Sequence, residues 1–270
     1  MIIDNSKKEK KILGYEELYQ KLILLYKNKN LPKKFIISGP KSMGKAIFAT
    51  YFINYILQPD FLINDQNFVY DDFSKSTLSL DKNINQNFFH ISLKDGKKNV
   101  EIEQIRNLIN FSQKKSFNNK PRFVLIDDLE KFNLNASNSL LKLLEEPNNN
   151  LYLLLIHDNK SKILETISSR CISFNVNFAF DKTLSIVNEI LNINIYDYLN
   201  KSIVSNYSTI GDLIDLYYFS LNNKIDLKNI SLYEFTNFLI EDKKYKTDNK
   251  ILYLSIKIIE SYFYESFVLS

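Results

Sequence analysis

The sequence predicts an α/β fold: a parallel sheet with helices on both faces, followed by a smaller all-helical portion. Three observations predict it. Short apolar runs at "KFIIS", "FFHISL", "RFVLI", "LYLLLI" and "CISFNV" alternate with stretches of helical spacing, the pattern of strands joined by crossover helices. The motif "GPKSMGKA", residues 39–46, falls between the first run and a helix, where backbone N–H groups and the helix dipole hold phosphates. After "CISFNV" the strand signals fade, and "KTLSIVNEIL" and "ILYLSIKIIESYFYESF" carry helical spacing.

The elements follow in order. Residues 15–27, "YEELYQKLILLYK", repeat apolar groups at helical spacing until "KNKNLPKK" breaks the pattern at Pro32. "KFIISGP" is a buried strand entering a turn, and "KAIFATYFINYILQ" is a helix of about three to four turns. Residues 59–99 read as irregular and polar apart from "FFHISL". "VEIEQIRNLINFSQKK" and "NASNSLLKLLEE" are helices that precede the strands "RFVLI" and "LYLLLIH". The expected division is a mobile tail at 1–11, the sandwich at 12–176 and helices beyond.

Composition narrows the class. The chain has 270 residues, 45% hydrophobic and 24% charged, the balance of a globular protein with ample core. A net charge of +4 permits contact with nucleic acid without arguing for it. The single cysteine, Cys171, excludes an internal disulfide and any multi-thiolate metal site. No apolar run nears the ~18 residues that span a bilayer, and the start lacks the apolar stretch of a secretory signal, so a cytoplasmic protein is expected.

Gly39 and Gly44 allow the tight path of a phosphate loop, and Lys45 reaches the terminal phosphates of a nucleotide. Ala46 stands where the motif has Ser or Thr, whose hydroxyl holds magnesium. "RFVLIDDLEKFN" ends a hydrophobic strand in an acidic pair. Asp127 falls where a P-loop ATPase puts its second magnesium-site carboxylate, and Asp128 where many have a Glu that orients water. Asp is shorter by one methylene, and a misplacement of about an ångström costs on the order of a hundredfold in rate. The candidate nucleotide-binding set is therefore Gly39, Pro40, Lys41, Gly44, Lys45, Ala46, Asp127 and Asp128, with no metal ligand assigned. His90 and His157 lie in strand-like runs. His157 has the better claim to nucleotide; Cys171, without a partner base, reads as packing.

"NASNSLLKLLEEP" and the triplet Ser169-Arg170-Cys171 resemble the bacterial clamp-loader family of AAA+ ATPases, over about residues 12–175. The resemblance implies an AAA+ P-loop three-layer sandwich at 12–176. It also implies a small helical lid at 177–219 and a shortened, collar-like helical domain at 220–270. In that family the arginine of the triplet reaches the ATP of a neighbouring subunit, so Arg170 is expected to act in trans. "STIGDLIDL" resembles the start of the lid helix whose arginine touches phosphate in motor subunits, yet Asp212 occupies that position. With Ala46 and Asp128, this implies a non-motor subunit that binds ATP or ADP without efficient hydrolysis and requires no cofactor of its own. The four-cysteine zinc module of the motor subunits is absent, and residues 59–89 are expected to fill its place without zinc. The implied partners are gamma/tau and delta subunits in a hetero-oligomeric ring that loads a sliding clamp onto primed DNA, with no membrane. Arg106 in "IEQIR" is expected to pack or to meet a subunit. Two other readings stay open: an ATP-hydrolysing motor subunit, and a P-loop kinase or solitary DNA-binding protein.

Overall fold

The computed structural model describes residues 9–57, 62–64, 69–71, 86–94, 97, 99–114, 120–145, 150–159, 162–204, 209–243, 246 and 249–268. The chain separates into two compact units, which divide between Asn177 and Phe178. The expected metal-free loop at 59–89 lies largely outside the described residues, as do residues 1–8 of the expected tail.

The first unit is built on five strands: β2 (Lys34–Ser38), β5 (Phe88–Ile91), β6 (Arg122–Ile126), β7 (Leu151–His157) and β8 (Ile172–Asn175). Their order across the sheet is β5-β6-β7-β2-β8, and every pairing is parallel. A parallel sheet covered on both faces needs continuous apolar strands rather than alternating ones. β6 and β7 meet that need, with every residue from Arg122 to Ile126 and from Leu151 to His157 buried. The outermost strand β8 is mostly exposed.

Around the sheet lie α1 (Glu16–Lys27), α2 (Lys45–Leu57), α3 (Ile102–Gln113), α4 (Leu134–Glu145) and the single turn α5 (Glu165–Ser168). α3 starts at a capping box, Glu101 with Gln104, and buries Ile105 and Leu108 on one face. α4 likewise buries Ala136, Leu140 and Leu144. These residues join Ile91, Ile126 and Leu155 in one core.

Three short strands lie apart from this sheet. β1 (Glu9–Lys11) pairs antiparallel with β4 (Val69–Asp71), which pairs in turn with β3 (Leu62–Asn64). Glu9–Lys11 is thus a strand inside the stretch expected to be a mobile tail. Residues 59–99 likewise hold two strands beyond the expected one.

The second unit is helical: α6 (Phe180–Leu191), α7 (Ile210–Asn223), α8 (Leu232–Asp242) and α9 (Asn249–Val268). Its core includes Val187, Leu213, Ile214, Leu227 and Phe235, all buried. α8 begins at a Ser231 capping box with Glu234. Among the described residues no helix is long and apolar enough to cross a membrane.

β2 is gripped on both sides. Gly39 donates its N–H to the His157 carbonyl at 3.2 Å, and Val176 donates to the Ser38 carbonyl at 2.7 Å. A Cβ on Gly39 would lie 2.2 Å from the Val176 carbonyl oxygen. Backbone on both sides of that contact leaves no flexible group to yield. Gly39→Ala is therefore expected to cost about 2 kcal/mol or more, lowering the melting temperature by roughly 5 °C. Thermal unfolding checks this; an unchanged midpoint would mean that β8 shifts freely.

Candidate nucleotide site

The site gathers at the carboxyl ends of β2, β7 and β6, the usual ligand edge of an open parallel sheet. After β2 the loop turns through two left-handed residues, Ser42 (φ 62°) and Gly44 (φ 82°), before α2 begins at Lys45. Such turns aim successive N–H groups to one side, an arrangement suited to anions. The loop is braced from α1's side: the buried Tyr15 donates its hydroxyl to the Met43 carbonyl at 2.9 Å and stacks on Phe48 at 4.5 Å. Burial raises the Tyr15 phenol well above its ordinary range, so it stays a donor. No motif in the sequence marks Tyr15.

Lys45 is buried, and its ammonium donates to the carbonyls of Gly39 at 2.7 Å and Pro40 at 2.6 Å. Burial lowers its pKa, while Asp127, Glu130, Asp158 and Asp128 oppose the shift. Ala46 provides no hydroxyl. The next one along α2, on Thr50, is spent on the Ala46 carbonyl at 2.9 Å. The loop thus suits a phosphate but not a magnesium ion anchored at position 46. Lys41 is exposed and Pro40 half-buried at the loop's rim.

Asp127 and Asp128 follow β6. Asp127 Oδ1 accepts the Asp128 N–H at 2.9 Å, and Asp128 takes a left-handed conformation (φ 54°) that starts the 3-10 turn Leu129–Lys131. Burial, then the charge of Asp128, pushes the Asp127 carboxyl up to about 6. Because β7 lies between β6 and β2, His157 arrives between the acidic pair and the loop. Glu130, His157 and Asp158 bring ligand atoms within 4.8 Å of one another, and Glu130 also accepts the Asp158 N–H at 3.3 Å. Two carboxylates and an imidazole form a donor set that suits a divalent cation. No metal ligand is expected from the sequence, and no local pattern marks Glu130 or Asp158, because only the fold brings residues 130 and 158 together.

The other candidates lie elsewhere. Arg170 follows α5, with 37% of its side chain exposed. It donates to the Thr166 carbonyl at 2.9 Å and to Glu145 at 3.0 Å, so neither contact reaches the loop. Cys171 packs against the core, and burial pushes its thiol up to about 11, the state of a packing residue rather than a nucleophile. His90 lies half-buried on β5, its ring 6.2 Å from Phe88. Arg106 is exposed on α3 and so packs in no core.

In the second unit Asp212 is buried and caps α7. Its carboxylate accepts the Thr209 N–H at 3.1 Å and pairs with Lys257 of α9. It holds two helices together and carries no cationic group for a phosphate.

A phosphate loop facing an acidic strand end across a parallel sheet defines a P-loop α/β domain. The family model described as "DNA polymerase III, delta subunit" matches residues 14–179, and the chain belongs to that family. Its first unit is a P-loop α/β fold with helices packed around a five-stranded parallel sheet. The DNA polymerase III subunit delta' of Pseudomonas aeruginosa is 36% identical over 85 residues, 32% of this chain and 26% of that one. The matched stretch thus spans about a quarter of that relative's length. The DNA polymerase III subunit gamma of Buchnera aphidicola is 24% identical over 245 residues, 84% of this chain and 64% of its own. A gamma subunit-related protein of Thermotoga maritima aligns over 91% of this chain and 70% of its own, at 16% identity and a TM-score of 0.49.

The Asp127 shift has a sign that can be tested. From about pH 4, the unfolded value, to about pH 6, the folded value, the folded chain holds a proton that the unfolded chain has lost. Asp127 therefore withdraws stability as pH rises through that window. For a half-buried group the loss is about 1–2 kcal/mol. Asp127→Asn is expected to be more stable than wild type by that amount at pH 7.5 and equal to it at pH 4 in urea unfolding. A difference independent of pH would contradict the shift.

Proposed function

We propose that the chain is a delta'-type clamp-loader subunit that hydrolyses little or no ATP itself and supplies Arg170 to ATP held by a neighbouring gamma/tau subunit. One observation carries the reading: Arg170 is exposed, and its polar contacts lie away from the chain's own phosphate loop. A guanidinium so placed has no reaction to serve in cis. Offered to a neighbour, it stabilises charge developing on the transferred phosphoryl group, worth roughly 10³ to 10⁵ in rate.

The chain's own site supports the division of labour. Ala46 lacks the hydroxyl for magnesium, Asp128 is shorter than the water-orienting Glu, and Lys45 is occupied with loop carbonyls. The turn of the loop and the start of α2 still suit a phosphate, so ATP or ADP has a place to bind without efficient hydrolysis. On this reading residues 177–219 form the lid and 220–270 a collar-like segment. Gamma/tau and delta subunits are the partners, and the assembly loads the sliding clamp onto primed DNA in the cytoplasm.

The second reading, an ATP-hydrolysing motor subunit, draws on the gamma relative that matches most of this chain and on the presence of Lys45 and Asp127. Turnover separates the two. Alone with ATP and magnesium, the chain is expected to release phosphate at background rate, unchanged by Lys45→Ala. Added to gamma/tau and delta subunits, it is expected to raise turnover about tenfold or more. Turnover by the isolated chain that disappears in Lys45→Ala would establish the motor reading instead.

A further inference from the structure

We propose that Glu145 is the positioning residue for Arg170; the inference rests on the trans-arginine reading above. Glu145 is the last residue of α4, and its Oε1 accepts from Arg170 Nη2 at 3.0 Å. Arg170 Nη1 meanwhile donates to the Thr166 carbonyl at 2.9 Å and reaches Ser169 Oγ at 3.5 Å. One guanidinium is thus tied to two separate elements, the end of α4 and the single turn α5 with the Ser169 that follows it.

A guanidinium has about five N–H donors, and these three acceptors leave two for a phosphate. Thr166 and Ser169, within four residues of Arg170 in sequence, hold Nη1, and a single held nitrogen leaves the guanidinium free to pivot about it. Glu145 comes from a different helix and holds Nη2, which fixes the plane of the group. In isolation the pair is weak, because both side chains are exposed, 37% for Arg170 and 53% for Glu145. Its value lies in orientation. A long side chain that must find its pose at each turnover loses rotamer entropy then, whereas one already held contributes its charge without that cost. Glu145 does not touch the reacting atoms, so it acts through Arg170.

The test uses the full chain reconstituted with gamma/tau and delta subunits, with entry of each variant confirmed by size exclusion. Glu145→Ala is expected to lower kcat for ATP by about 3- to 10-fold, with KM within about twofold. Glu145→Gln, which keeps an acceptor oxygen, is expected to recover at least half the rate. Combining Glu145→Ala with Arg170→Ala is expected to be no slower than Arg170→Ala alone, because both act through one group. If Arg170→Ala is slow and Glu145→Ala runs at full rate, the positioning role falls while the trans arginine stands. If Arg170→Ala also runs at full rate, both fall. A faster Glu145→Ala would mean that Glu145 restrains the arginine, which also overturns the proposal.

Discussion

The seat of β2 between β7 and β8 is the constraint on which the site depends. β2 leads directly into the phosphate loop, and backbone bonds on both flanks fix where that loop starts. The register pairs Ser38 with His157 on one side and Asn175 on the other. Gly39 follows at a point where the chain comes too close to Val176 for any side chain. A slip of one residue would reverse the faces of β2 and move Lys45 off the acidic strand end. The loop's shape, the burial of Lys45 and its coupling to Asp127 all follow from that seat.

The electrostatics at this edge are lopsided. One buried lysine feels four carboxylates, and its hydrogen bonds go to carbonyls of its own loop. A motor's loop must present its lysine to phosphates and its hydroxyl to magnesium. This loop has the lysine turned onto its own backbone and a methyl group at position 46. The turn of the loop is kept, while position 46 offers no hydroxyl and Lys45 is bonded to the carbonyls of Gly39 and Pro40. Arg170, by contrast, is exposed and held by contacts that leave donors over. On the proposed reading, a ring of subunits would divide labour in this way, with the arginine of one chain completing the site of the next.

Much of this was legible in the sequence, because it is written in local terms. A parallel sheet buried on both faces demands unbroken apolar strands, so "RFVLI" and "LYLLLIH" stand out. The phosphate loop and the acidic strand end are short motifs fixed by backbone geometry. What stayed hidden depends on residues far apart in the chain. Tyr15 braces Met43 across 28 positions, and Glu130 meets Asp158 across the same separation. Asp212 read as a departure from a lid motif, and its pairing with Lys257, 45 residues away, gives it a structural role that no local pattern carries. The three-residue strands at Glu9–Lys11, Leu62–Asn64 and Val69–Asp71 are too short for periodicity to register.

On the proposed reading, chemistry has left the loop of this chain and resides in its arginine. The most direct measurement is single-turnover ATP hydrolysis by the reconstituted assembly, comparing this chain carrying Lys45→Ala with this chain carrying Arg170→Ala. Lys45→Ala is expected to hydrolyse at the wild-type rate while Arg170→Ala slows by about a hundredfold or more. The reverse pattern, with Lys45→Ala slow and Arg170→Ala unaffected, would contradict it.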